Sequence, residues 1–323
     1  MPPMMKVLIV RTSSMGDLIH TWPAITELVK HYPNLNLSWL AEENFADIAT
    51  LHPAVNTVIP LAWRRWRQHI LSPGTWHEIR QMKQQLRAEH WDVVIDSQGL
   101  LKSAIPARMA GGPIAGFDWR SSREPLASLL YSKTYRVERR QSAVARNRQL
   151  FAQAFGYSVD GEAKFGITPG ERADWLPADG YVMLLHATSR ASKEWPESHW
   201  IDLARRLYAD HGLTAVFPWG NEKERQRAMR LAGALSHAMV APRMTLIEAA
   251  SALGHAKAVV GVDTGLSHLA NALDVPQVAI YTDTDPQLTG VCETSCAVNI
   301  GGIGQMPSVD AVLAALTGRG GFG

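Results

Sequence analysis

At 323 residues the chain exceeds the roughly 100–200 typical of one domain, so two domains are expected. A hydrophobic fraction of 46% with 19% charged residues excludes a disordered chain, and a net charge of +2 excludes a global field aimed at a polyanion. Cys292 and Cys296 are the only cysteines; they exclude a disulfide framework, make a poor metal site without nearby histidines, and read as reduced thiols of a cytosolic protein.

In chain order, the first apolar run is KVLIV, residues 6–10, too short for a secretory or membrane-spanning segment and suited to a buried strand. It hands over at SSMGDLIHTWPA, residues 13–24, where Asp17 follows Gly16 and serves either as a helix-start residue or as a catalytic base. Strand-like runs LNLSWLA, VNTVIPL, DVVIDS and PIAGF follow, with helical stretches HTWPAITELVKHY, ENFADIATLH and TWHEIRQMKQQLRAEH between them. Short continuous apolar strands separated by helices predict a parallel sheet covered on both faces. Within this half, AWRRWRQHILSPGTW, residues 62–76, interleaves Arg64, Arg65 and Arg67 with Trp63, Trp66 and Trp76. Such a segment binds an acidic substrate, rests on an anionic membrane surface, or is a solvated basic face with its tryptophans packed inward. Arg120, Arg123, Arg139, Arg140, Arg146 and Arg148 further enrich the half in cations; no nucleic-acid reader motif accompanies them.

Residues 155–180, rich in Gly, Pro and Asp, break the alternation and form the best linker. The domains are therefore drawn at 1–168 and 169–323, as two doubly wound α/β layers on either side of a cleft. In the second half YVMLLHA, LTAVFPWG, KAVVGVD and VPQVAIYT are strands, and PESHWIDLARRLYADHG is a helix closed by Gly212. KERQRAMRLAGAL, TLIEAASALGHA and TGLSHLANAL are further helices.

Three strand-end loops here suit a nucleoside diphosphate. VGVDTGLSHLANAL places Asp263, Thr264, Gly265 and His268 at a helix start, where unpaired N–H groups attract phosphate; the alternative is a plain helix cap. The loop of LLHATSRASKEWP carries Thr188, Ser189, Arg190 and Lys193, hydroxyls and cations before a helix, or simply a solvated polar loop. FPWGNEKER offers Glu222 or Glu224 to ribose hydroxyls, or to solvent. No GxGxxG, GxxxxGK[ST], GxSxG, HExxH or CxxC occurs, which removes most dehydrogenase, kinase, hydrolase and metalloprotease classes. Nowhere do 18 apolar residues run together.

VRTSSMGDLIHTWPA, WLAEENFADI, VVIDSQGLLKSA, DWRSSREPLASLLY, LLHATSRASKEWP and VGVDTGLSHLANAL together resemble the ADP-heptose:lipopolysaccharide heptosyltransferase family, over about residues 6–286. The resemblance implies a GT-B fold of two Rossmann-like domains facing across a central cleft. It implies inverting transfer of L-glycero-D-manno-heptose from ADP-heptose to the inner Kdo of Kdo2-lipid A, with no cofactor and no structural metal. By it, Asp17 is the general base, and Thr188, Ser189, Lys193, Asp263, Thr264, Gly265 and His268 hold the donor. Glu222 lies near the ribose, with Glu224 the open alternative, and Met244 near the adenine. Arg64, Arg65, Arg67, Arg120 and Arg146 engage the acidic acceptor. It further implies a monomer that binds no nucleic acid and sits peripherally on the cytoplasmic face of the inner membrane. YTDTDP, residues 281–286, departs from the family's Gly-Pro-Thr-Asp-Pro loop, so no donor role passes to Asp283. The tail after about residue 288, ending TGRGGFG, matches poorly and is expected to pack back on the N-terminal domain. The alternatives are transfer of a later heptose, a nucleotide-sugar epimerase on the same fold, and a silent sugar-nucleotide binder.

Overall fold

A computed structural model describes residues 4–320. Backbone contacts divide the chain into two compact units, one up to Gly166 and one from Ile167.

The first unit runs β1 (Met5–Val10), α1 (Met15–Ile19), α2 (Trp22–His31), β2 (Leu35–Glu42), α3 (Ala46–Thr50), β3 (Val55–Leu61), α4 (Trp63–Gln68) and α5 (Pro73–Arg87). It continues with β4 (Val93–Asp96), α6 (Leu101–Met109), β5 (Ile114–Phe117), β6 (Lys133–Tyr135) and α7 (Ala143–Phe155). The strands form one parallel sheet in the order β3-β2-β1-β4-β5-β6. Strand residues alternate between the faces, so Leu8, Val10, Leu40 and Val94 join Met82 and Leu86 of α5 and Ala107 of α6 in one apolar layer. Val7 and Ile9 are equally buried on the opposite face. There α7 packs on α2, and the buried Asn147 amide donates to the His20 carbonyl at 2.9 Å, fixing the end of α1.

The second unit runs β7 (Tyr181–Leu185), α8 (Glu197–His211), β8 (Thr214–Phe217), α9 (Glu222–Gly233), β9 (Ala238–Val240), α10 (Leu246–Gly254), β10 (Ala258–Val262) and α11 (Gly265–Ala272). β11 (Gln277–Tyr281), α12 (Pro286–Thr289), β12 (Ala297–Gly301) and α13 (Val309–Thr317) complete it. Its sheet, also parallel, has the order β12-β11-β10-β7-β8-β9, the same winding as the first unit's when read from the other edge. α8 closes on Gly212 at φ 67, the left-handed position its glycine was expected to take.

Two differences from the sequence expectation have physical causes. β6, β9 and β12 are short strands at sheet edges and only partly buried, so any apolar run they carry is too short to read as a strand. The C-terminal segment carries a helix that contributes to its own unit's core: Val309, Val312 and Leu316 of α13 enter the apolar layer built by Trp200 and Leu203 of α8 and Val278 and Ile280 of β11. An amphipathic helix following a sixth strand has its nearest apolar face on that strand's own sheet. The last three residues of TGRGGFG lie outside the described residues.

Gly116 in β5 abuts the Tyr131 ring, and a methyl group there would fall inside van der Waals contact. Tyr131 in turn donates to the buried Asp96 carboxylate at 2.8 Å. Gly116→Ala is expected to push the ring away and lower stability by about 1–3 kcal/mol, measured as a reduced urea midpoint with unchanged m-value.

Candidate active site

In each unit the strand order reverses beside the central strand: β1 lies between β2 and β4, and β7 between β8 and β10. Connections leave in opposite directions there, so the carboxyl ends of the paired strands open a crevice. The loops after β1 and β4 occupy one such place and the loops after β7 and β10 the other.

In the first unit the chain leaves β1 through Arg11–Ser14 and enters α1 with Asp17 at its third position. The loop is clamped from β4: Gln98 accepts from Thr12 N–H and Oγ1, each at 2.8 Å, and donates to the Ser13 carbonyl at 3.2 Å. Lys102 Nζ donates to Ser13 Oγ at 2.7 Å. Asp17 accepts Arg11 Nη2 at 2.6 Å and Arg123 Nη2 at 3.2 Å on Oδ1, and the Ser14 N–H at 3.0 Å on Oδ2. It therefore closes the helix start through the Ser14 N–H, while its other oxygen meets the two guanidinium groups. Burial alone would raise its pKa, but the two guanidinium charges and the Ser14 N–H outweigh that and hold it well below the ordinary carboxylate range. Its side chain retains 19% exposure, against 3% for Arg11.

The cations outnumber the acid. Arg146 donates to the Ser121 carbonyl at 2.6 Å and lies over the Phe117 ring. Burial and repulsion from Arg123, Arg11 and Arg139 pull it down to about 10. A group of guanidinium charges that repel one another around one carboxylate is a site for a further anion. Arg120 is exposed on the turn after β5. Arg64 is exposed on α4 and stacks over Phe45. Arg67 is exposed on the same helix, whereas Arg65 is held by Glu78 at 2.8 Å and Glu43 at 3.5 Å. Trp66 also donates to Glu78, so Arg65 serves the α4–α5 junction. From the sequence Arg123 was one of several cations of this half, and its pairing with Asp17 was not read, because nothing local marks which arginine of DWRSSREP folds back onto that carboxylate.

In the second unit the loops meet on Asp263, the residue just after β10. Thr188 Oγ1 donates to its carbonyl at 2.8 Å; Lys193 Nζ reaches its Oδ2 at 2.6 Å and Thr284 Oγ1 the same oxygen at 2.7 Å. Thr264 caps α11 in extended conformation with its hydroxyl making no cap bond, and Gly265 opens the helix. The first-turn N–H groups and the Lys193 charge thus share one spot, a phosphate-binding arrangement. His268 is buried one turn along α11. His186 is buried too, its Nε2–H donating to the Pro218 carbonyl at 3.1 Å, and burial brings its pKa down to about 4. Asp283, to which no role was given, accepts Ser192 Oγ at 2.6 Å and so ties the TDTD loop to the Lys193 loop.

A cavity of about 380 Å³ adjoins these loops, lined by Thr188, Ser189, Asn221, Glu224, Arg227 and Arg230 among others. Glu224 lines it and accepts the Gly220 N–H at 2.7 Å, while Glu222 is exposed and faces Arg225 at 3.4 Å. Of the two, Glu224 is the one that lines the cavity: it is the third residue of α9, where a carboxylate turns back toward the cap, and Glu222 is the first. Met244 is half-buried just before α10. Among the described residues no group of three or more His, Cys, Asp or Glu is placed to hold a metal ion.

The sequence profile described as glycosyltransferase family 9 (heptosyltransferase) matches residues 79–315. Lipopolysaccharide heptosyltransferase 1 of Pseudomonas aeruginosa is 46% identical over 291 residues, covering 88% of this chain and 81% of that one. Escherichia coli heptosyltransferase WaaC with ADP superposes at TM-score 0.90 with 42% identity, covering 98% of this chain and all of that one. The same enzyme with ADP-2-deoxy-2-fluoro heptose superposes at 0.88 with 41% identity, covering 97% and 99%.

Asp17's lowered pKa has a definite sign in stability. The group contributes fully above the unfolded carboxylate value, about 4, and the contribution is lost as pH falls toward the folded-state value. Arg123→Gln, at an exposed side chain, is expected to move the Asp17 titration upward toward the ordinary range and to narrow the acid arm of the stability curve. Carboxyl ¹³C NMR of wild type and variant, with urea melts in mild acid, reads both effects.

Proposed function

The chain belongs to glycosyltransferase family 9, the heptosyltransferases, and on that premise we propose that it moves heptose from ADP-heptose to the inner Kdo of Kdo2-lipid A with inversion, at the cytoplasmic face of the inner membrane. It is a GT-B enzyme of lipopolysaccharide inner-core synthesis. The observation that carries the donor half of the proposal is the convergence of Thr188, Lys193 and the start of α11 on Asp263.

An inverting transfer needs a leaving group stabilised as ADP departs and a base for the acceptor proton. Lys193 and the α11 N–H groups stabilise the diphosphate, with Thr188, Ser189 and the Thr264 hydroxyl as further donors. Glu224 accepts from ribose hydroxyls across the adjoining cavity, and Met244 packs near the adenine. Lys193 then exchanges Asp263 for phosphate oxygens, which leaves Thr284 to hold the freed carboxylate.

Asp17 is the base, and its electrostatics set a condition on that role. A carboxylate held by two guanidinium groups is always ionised but weakly basic, which works against proton transfer. Kdo carries a carboxylate of its own. When that anion takes Arg123, together with Arg120, Arg146 and Arg64, Asp17 loses part of its counter-charge and its pKa rises toward a useful value. The acceptor thereby strengthens the base that will deprotonate it, and a molecule lacking the carboxylate is activated poorly.

With purified ADP-heptose and Kdo2-lipid A, Asp17→Asn is expected to lower kcat by roughly 10²–10⁴ with little change in donor KM. Lys193→Ala and Glu224→Ala are expected to raise donor KM, while Glu222→Ala leaves it near wild type. ADP release followed with and without acceptor checks these values. ADP formed equally well without acceptor would sink the transferase assignment, and a Glu222 effect exceeding that of Glu224 would sink the ribose assignment.

A further inference from the structure

We infer that α5 and the turn before it form a docking element for a bilayer surface bearing anionic headgroups; the inference rests on the transferase reading for its lipid acceptor and assigns the contact to particular residues. The turn joining α4 to α5 exposes two adjacent large aliphatic side chains, Ile70 at 54% and Leu71 at 95%. The half-exposed Trp76 braces that turn, its indole N–H donating to the Ile70 carbonyl at 2.9 Å. Neighbouring aliphatics held out at a tip contact no core of this unit, so their apolar area is available to another phase.

The helix continues the same surface in cations. At 100° per residue, Trp76, Arg80, Lys83 and Arg87 fall within a sector of about 60° along the helix. The buried Thr75, Met82 and Leu86 form a separate sector against the sheet layer. Arg80, Lys83 and Arg87 are all exposed. No acid occurs from residue 62 to 77, and the first one, Glu78, lies on the far side of the helix and is held by Arg65 and Trp66. An apolar tip, an indole beside it and a stripe of cations behind match the acyl boundary, the headgroup level and the phosphates of an anionic bilayer in that order. A protein partner would need a groove for two side chains on a narrow tip and acids along a helix stripe; a bilayer supplies both without a specific shape.

The test uses the full chain and flotation with phosphatidylethanolamine vesicles, with and without phosphatidylglycerol, in the absence of donor and acceptor. Wild type is expected to float with the phosphatidylglycerol vesicles and to be released by salt. Leu71→Asp combined with Ile70→Asp is expected to cut vesicle affinity by roughly tenfold or more. Arg80→Gln and Lys83→Gln are each expected to cost roughly fivefold. All four sites are solvent-facing, so melting temperatures should match wild type, as should turnover on a deacylated, water-soluble Kdo acceptor. Variants that float like wild type would overturn the proposal. So would wild-type flotation only on vesicles containing Kdo2-lipid A, which would mean acceptor capture instead of bilayer docking. Absence of turnover on the soluble acceptor by wild type would count against the transferase assignment alone and leave the flotation result standing.

Discussion

The reversal of strand order beside β1 and beside β7 is the constraint from which the rest of this structure follows. A parallel sheet must send each connection back over a face in the right-handed sense, so helices cover both faces and the strands become buried apolar runs. Where successive connections part to opposite faces, backbone groups at the carboxyl ends face a crevice and not a helix. The Asp17 and Asp263 clusters both lie in loops at such an end. The first unit spends its loops on a carboxylate surrounded by cations, the second on a cation and a helix start gathered around an aspartate.

Those two clusters use the same kind of ion pair for different ends. Lys193 and Asp263 are a single pair with Thr284 as a second donor to the same oxygen, so Asp263 keeps a hydrogen bond if the lysine changes partners. Asp17 has no such release from within its cluster, because Arg11 is buried and also donates to the Ser97 carbonyl. Only the more exposed Arg123 can be drawn off. In the proposed mechanism, this difference in exposure between two arginines on one oxygen is what lets the acceptor anion tune the carboxylate.

The central strands, their helices and the glycine-closed α8 were legible because each carries a continuous apolar run or a 3.6-residue pattern with a cap. β6, β9 and β12 were not, since strands with little buried surface need few apolar residues. In the site, residues within a loop motif, such as Asp17, Thr188, Lys193 and Asp263, could be named from the motif. Thr284 could not, since it joins the cluster from a loop distant in sequence, and Arg123 could be named only as one cation among several. Glu222 and Glu224 differ by two positions on one helix, about 200° apart, and only their direction separates them.

By itself the sequence determined that the chain forms two doubly wound α/β layers with chemistry at strand ends, since hydrophobic periodicity and turn residues are local properties. It also determined a heptosyltransferase resemblance, since the loop motifs are contiguous. The tertiary structure alone decided how those loops combine. It set which arginine strengthens the hold on Asp17, which glutamate faces the cavity, and that α13 closes the second unit's own core. These outcomes depend on distances between residues far apart in the chain, and such distances exist only once the sheets have set the loops side by side.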